Sequence, residues 1–234
     1  MDGDETLPRV VFLVLLVLRC WFFTRFYNSL SLCSIEITFL LYSFSTLFLN
    51  AMFRHTFLTL LREYSPPSEV EQMKRDQTIA FVEAHTDCFR RELLTGHVTG
   101  SAWVVNPKRD KVLLTHHRKL DKWLQLGGHC DGDYDVLRVA LREAVEESGV
   151  FDIIPVHPDI FDLDILLVPE RRTATVFEPE HWHYDARFLL LADDTVPLQI
   201  TPESNDLRWV PLNEVERLTE EESVLRMVRK VLHH

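Results

Sequence analysis

The sequence has no CxxC pair and no regular cysteine framework. Its four cysteines, Cys20, Cys33, Cys88 and Cys130, stand apart, which argues against a cysteine-ligated zinc site and a disulfide scaffold and suits a reducing interior. No helical HxxxH and no Cys/His spacing marks a zinc site among the 11 histidines, and no internal repeat is visible. Positive charge is also short, with 25 Lys and Arg against 36 Asp and Glu and a net charge of −11 at pH 7. Such an excess repels a phosphate backbone at long range, so nucleic acid is not an expected partner. The imbalance is unevenly spread. Residues 1–53 hold four acids and three bases, a net of −1, which leaves −10 of the −11 to residues 54–234. A phosphorylated small molecule would need a metal ion to bridge it to so acidic a domain.

Charge of either sign is almost missing from residues 1–53. The apolar runs there are Val10 to Leu18, Cys20 to Phe23 and Ile37 to Phe53. A membrane span needs roughly 20 apolar residues, and Arg19 and Glu36 interrupt the runs. Asp2, Asp4 and Glu5 place acid where a secretory signal wants positive charge. Three readings stay open: a membrane anchor, a translated extension preceding Met52 that is not part of the natural protein, and an ordered helical cap. The expected location is cytoplasmic, and membrane-associated if the segment is genuine. The expected organisation is a hydrophobic segment at 1–53, a helical lead-in at 54–95 and a single α/β domain at 96–234.

From Pro66 the texture is that of a globular domain. Ser68 and Glu71 have capping-box spacing for a helix to about His85. Gly96 to Val105 and Lys111 to His116 predict a hairpin around Asn106 to Asp110, and Trp123 to Leu126 a short strand. Leu137, Leu141, Ala144 and Val145 line one side of a helix over Tyr134 to Ser148, with Gly149 at its C-terminus. Further strands are expected at Ile160 to Val168, Tyr184 to Leu191 and Leu207 to Val210. A helix should follow Pro211, and another should open at Thr219 with Glu222 in capping-box register. Strands on both sides of an internal helix point to an α/β sandwich.

On the internal helix, Glu143, Glu146 and Glu147 are spaced i, i+3 and i+4, so their carboxylates share a face one turn apart. Like charges so close repel, and Arg142 offers one counter-charge. A solvated acidic face would carry such a string without function. Here the helix is apolar on its other side, and a glycine-rich loop, Gly127 to Gly132, stands just before it. Clustered carboxylates are what hard divalent ions prefer, usually together with waters and substrate phosphates.

Gly128, Tyr134, the run Arg142-Glu143-Ala144, the pair Glu146-Glu147 and Gly149-Val150 stand in a spacing that closely resembles the Nudix box. With its strand–loop–helix setting the resemblance extends over roughly residues 96 to 232. The sequence departs from the family where Tyr134 replaces a glutamate; Asp133 and Asp135 flank that gap. The resemblance implies a Nudix-type α/β/α sandwich with a mixed sheet and a Mg²⁺- or Mn²⁺-dependent hydrolase cleaving a diphosphate linkage in a nucleoside diphosphate derivative or a related small organic pyrophosphate. It implies Glu143, Glu146 and Glu147 as metal ligands, Glu143 or Glu147 as proton acceptor, and Arg142 as the residue orienting a box glutamate. A homodimer is common among such relatives. Two other readings remain: a Nudix-fold binding module, suggested by Tyr134, and an isopentenyl-diphosphate-isomerase-like enzyme, suggested by Cys130 beside His129 and by the stretch His181 to Asp185.

Outside the carboxylates, Gly128, His129, Arg118 and His183 are the candidates for substrate contact, with His116, His117 and Lys122 as neighbours. Trp123, Trp182 and Trp209 are core tryptophans or base-stacking platforms. Glu203 and Asp206 lie where many Nudix enzymes place an additional acid.

Overall fold

A computed structural model of the protein describes residues 52–172 and 177–233. The expectations for the hydrophobic N-terminal segment lie outside the described residues apart from Met52 and Phe53. Among the described residues no helix is long and apolar enough to cross a membrane.

Residues from Phe53 onward form one compact unit. A helix over residues 52–63 (α1) is followed by α2 (Glu69–Ala84). Ser68 caps α2 by accepting a hydrogen bond from the Glu71 backbone N–H at 3.2 Å, but the Glu71 carboxylate turns to the Tyr64 hydroxyl and Lys230. Strands β1 (Gly96–Val105) and β2 (Lys111–His117) form the expected hairpin, its turn held by Asn106 Oδ1, which accepts from the backbone N–H of Asp110 and Lys111. Then come β3 (Lys122–Leu124), β4 (Leu126–His129), α3 (Val136–Ser148), β5 (Ile154–Pro155) and β6 (Asp162–Val168). The short pair β7 (Arg171–Arg172) and β8 (Phe177–Glu178), and the long β9 (His181–Leu191) and β10 (Ser204–Pro211), complete the strands. A 3₁₀ turn over Leu212–Arg217 precedes α4 (Glu222–Leu232).

The main sheet runs β10-β2-β1-β9-β5, with β3 on β2, β4 on β1 and β6 on β9. It is mixed, because β1 and β9 run parallel while the other pairs are antiparallel. Alternation along β1 divides the core. Val98, Ala102 and Val104 pack with α1, α2 and α3, whereas Trp103 and Val105 pack with Met227 and Val231 of α4. The lead-in helices therefore belong to the same core as the sheet: Phe57, Leu61 and Val82 are buried beside Phe188.

Helix α3 lies where sequence spacing places it, and Gly149 ends it in the left-handed region at φ 71°. The helix approaches β1 closely at Gly100, where an added Cβ would come within 2.8 Å of the Val136 carbonyl oxygen. The expected box at Thr219 does not form. Helix α4 begins at Glu222 with no side-chain cap, because Thr219 Oγ1 accepts from Glu221 N–H, one residue too early.

A candidate metal and active site on the α3 face

Helix α3 presents its three glutamates to the strand β4 that leads into it. Glu147 Oε1 accepts from the Gly127 backbone N–H at 3.1 Å. A Cβ on Gly128 would stand 2.6 Å from the Glu143 carboxylate, so only glycine leaves room for that side chain. Arg142 binds Glu143 Oε1 at 2.7 Å, sits 3.9 Å from Glu146 Oε1, and donates to the His129 carbonyl at 2.9 Å. It thus orients a box glutamate while pinning the loop.

The electrostatics suit a bound divalent cation. Burial raises the Glu143 carboxyl above its ordinary value even against the pull of Arg142. Glu147 is pushed up to about 8, chiefly by burial, against the Gly127 hydrogen bond and with added repulsion from Glu143 and Glu203. Two desolvated carboxylates and an exposed third, with Arg142 paired to Glu143 and Glu146 alone, form an all-oxygen donor set of the kind a hard divalent ion completes.

The residue at the gap in the box behaves differently from the expectation. Tyr134 is half-buried, its ring against Phe89 at 4.7 Å. Neither flanking acid replaces the absent carboxylate: Asp133 is bound by Arg138, and Asp135 is the N-cap of α3, accepting from the Arg138 N–H at 3.1 Å. A side-chain ion pair engages the first and helix capping the second. Replacing Tyr134 by Glu is therefore expected to lose the aromatic contact, about 1 kcal/mol, and to leave turnover unchanged. Chemical denaturation and steady-state rates check this; a gain in Mg²⁺ affinity would contradict it.

The other candidates divide. Arg118 is held at the β2–β10 end by Asn205 Oδ1 and the Ser204 carbonyl, each at 3.2 Å, and its backbone N–H bonds the Glu203 carbonyl. Glu203 adds to the negative charge acting on Glu147, while Asp206 pairs with Arg208 at 2.7 Å. Trp123 is buried, with His116 stacked on one side and Arg208 on its ring; Trp182 is exposed. Cys130 is buried in the core and its thiol is raised well above its usual value by burial. A cavity of about 1080 Å³ between Tyr64, Phe161, Leu189 and Arg226 contains none of the box carboxylates.

His129 and His183 are brought to each other rather than to the glutamates. Their rings lie 5.1 Å apart, and the charges acting on His183 come from His97, His129 and His181. His97, which the sequence reading passed over, sits opposite His183 in the parallel β1–β9 register. The available signal was the alternation His181-Trp182-His183, which puts two imidazoles on one face of a strand.

The NUDIX domain profile matches residues 96–231, more than half of the chain, and the chain belongs to the Nudix hydrolase superfamily. Among solved structures, it is similar to an Ap4A hydrolase binary complex from C. elegans (16% identity over 58% of this chain and 95% of that one, TM-score 0.45). The E. coli dihydroneopterin triphosphate pyrophosphohydrolase is similar at 16% identity, covering 58% and 96%, TM-score 0.46. The NUDIX domain of Shewanella oneidensis NrtR complexed with ADP ribose is similar at 20% identity, covering 58% and 86%, TM-score 0.41. No curated protein matches the chain.

Proposed function

We propose that the protein is a divalent-metal-dependent hydrolase cleaving a diphosphate linkage in a nucleoside diphosphate derivative or related small organic pyrophosphate. The observation that carries this reading is the desolvated carboxylate pair Glu143 and Glu147, set against Gly127-Gly128, with Arg142 as the one cation bonded to either among the described residues. Glu143, Glu146 and Glu147 would hold Mg²⁺ or Mn²⁺, which supplies charge neutralisation at the diphosphate and acidifies a water. Arg142 keeps Glu143 in place through a charge-assisted hydrogen bond. Glu143 or Glu147, once ionised, would accept the proton of the attacking water. Gly128 lets the backbone approach a bound phosphate. His129 at the loop and Arg118 at the β2–β10 end would serve as substrate-side groups, and His183 adjoins His129.

Phosphate release from nucleotide sugars, dinucleoside polyphosphates, ADP-ribose, NADH and nucleoside triphosphates, with full-length protein and Mg²⁺ or Mn²⁺, tests the reading. Turnover of one class is expected. Tight binding of one class without turnover would instead mark a binding module, the reading to which Tyr134 in the glutamate position lends weight. The isomerase-like reading loses its support here, because Cys130 lies in the core.

A pH effect follows from Glu147. In the metal-free protein its carboxyl keeps its proton up to about 8, and it must release that proton to ligate a cation. The apparent Mg²⁺ affinity should therefore rise as pH goes from 6 to 8, with proton uptake when Mg²⁺ is chelated. Calorimetry in buffers of different ionisation heat reads this directly; a pH-independent affinity would remove Glu147 from the ligand set.

A further inference from the structure

Three strands bring four imidazoles together on one side of the sheet. His97 comes from β1, His129 from the end of β4, and His181 and His183 from β9; the ring centroids of His97 lie 5.0, 5.0 and 4.7 Å from those of His129, His181 and His183. One nitrogen from each of His97, His181 and His183 lies within 4.8 Å of the others. We propose that His97, His181 and His183, with His129 as fourth donor, form a second metal site for a first-row transition ion of the Zn²⁺ class, separate from the carboxylate cluster.

The hydrogen bonds set the ligand atoms. His181 Nδ1 lies 2.8 Å from the Pro179 carbonyl, which only accepts, so Nδ1 carries the proton and Nε2 presents a lone pair. A backbone carbonyl behind the ring is the usual partner of a metal-bound histidine. That Nε2 faces His183 Nε2 at 3.1 Å, close to the edge of roughly 3.4 Å expected between two ligands on a tetrahedral ion with Zn–N of about 2.0–2.1 Å. A hydrogen-bonded His181–His183 pair would account for that contact alone. It leaves His97 unexplained: the residue is 3% exposed and neither ring nitrogen has a partner, an arrangement that buried polar groups avoid.

The surroundings suit an ion. A hollow of about 70 Å³ is lined by His97, His129 and His181 together with Arg91 and Glu178, with room for an ion and water. Glu178 Oε1 stands 4.0 Å from His181 Nε2 and brings negative charge to the rim. Burial lowers the pKa of His97 to about 4 and of His183 to about 2, with neighbouring imidazoles adding to both, and lowers that of His129 against the opposing charges of Asp131 and Glu178. These three rings are then neutral at physiological pH, as metal binding requires. Imidazole donors favour Zn²⁺ over Mg²⁺, so the two sites divide the ions by donor type. His129 links them in space: it follows Gly128, and its carbonyl holds Arg142. An ion on its ring would tie the loop before α3 to β1 and β9.

The test uses the full-length protein without a histidine tag, stripped by chelator and titrated with Zn²⁺ alone in saturating Mg²⁺. One equivalent of Zn²⁺ is expected to bind, undisplaced by Mg²⁺, and X-ray absorption should show imidazole nitrogen at about 2.0–2.1 Å. His97→Gln and His183→Gln should each weaken binding at least about a hundredfold, since loss of a mere second partner behind a ligand costs 10–100-fold. Glu146→Gln/Glu147→Gln should bind Zn²⁺ as the wild type does, even where it abolishes hydrolysis, which keeps this proposal distinct from the hydrolase reading. Zn²⁺ held equally by the two histidine variants, no stoichiometric Zn²⁺, or an oxygen-only absorption shell in the wild type would each overturn it. The absorption spectrum decides the matter even if a histidine variant fails to fold.

Discussion

Changing Glu146 and Glu147 together to glutamine is expected to lower hydrolysis of any accepted diphosphate about a thousandfold or more, the scale reached when transition-state charge loses its stabilisation. The fold should tolerate the change. Glu146 is exposed, and a glutamine at 147 still offers an oxygen to the Gly127 N–H. Removing the Glu146 charge relieves the repulsion that helps to raise Glu143, so the melting temperature should hold or rise slightly. Rates measured beside thermal melts separate the two effects. Turnover that survives in a folded double variant would place the chemistry elsewhere on the protein.

The largest expected effect on stability lies away from that helix. Arg187 is 1% exposed, and its guanidinium meets Asp185 at 2.7 Å, Asp162 at 3.1 Å and Asp164 at 3.4 Å. Arg226 and Lys230 from α4 and Lys74 from α2 complete the charge balance. Arg187→Met leaves buried Asp185 without its ion-pair partner and removes one cation each from Asp162 and Asp164, and breaking such a group costs about 3–5 kcal/mol, a large share of a typical 5–15 kcal/mol stability. Urea denaturation checks the loss. The sign of its pH dependence identifies the cause. In the wild type the cations overcome burial and hold Asp162 and Asp164 below the usual carboxylate range. Their contribution is thus fully present above the unfolded value near 4 and is lost as pH falls through the lower folded values. In the variant the stranded acids should take up protons more readily, so the deficit relative to wild type should shrink as pH falls from 7 to 5. A deficit constant with pH would assign it to lost packing instead.

Local chemistry was legible and long-range pairing was not. The periodicity of Leu137, Leu141 and Ala144 and the glycine at 149 located α3, because helix spacing and a left-handed cap are written within a dozen residues. The arrangement of Arg142 with Glu143 follows from adjacency on that helix. The roles of Asp133 and Asp135 are not written in the sequence, because an acid before a helix serves equally as a cap or a ligand, and only the Arg138 contacts decide. The histidine group escaped notice because β1 and β9 are far apart in sequence and parallel in space, a pairing no short motif announces. The charges around Arg187 were hidden for the same reason: Asp162, Asp164 and Asp185 read as ordinary polar alternation until β6 and β9 are paired.

That buried charge group also sets where the polypeptide can be cut. The family profile begins at residue 96, yet Glu71 and Lys74 stand upstream of it, and each bonds a partner downstream, Lys230 and Asp164 respectively. A fragment trimmed to the profile would carry Lys230 without the Glu71 carboxylate, Asp164 without Lys74, and an apolar sheet face without Phe57, Leu61 and Val82. The heritable unit of chemistry and the physical unit of folding are therefore different lengths here, and the two helices before the profile are as much the enzyme's interior as its central strands.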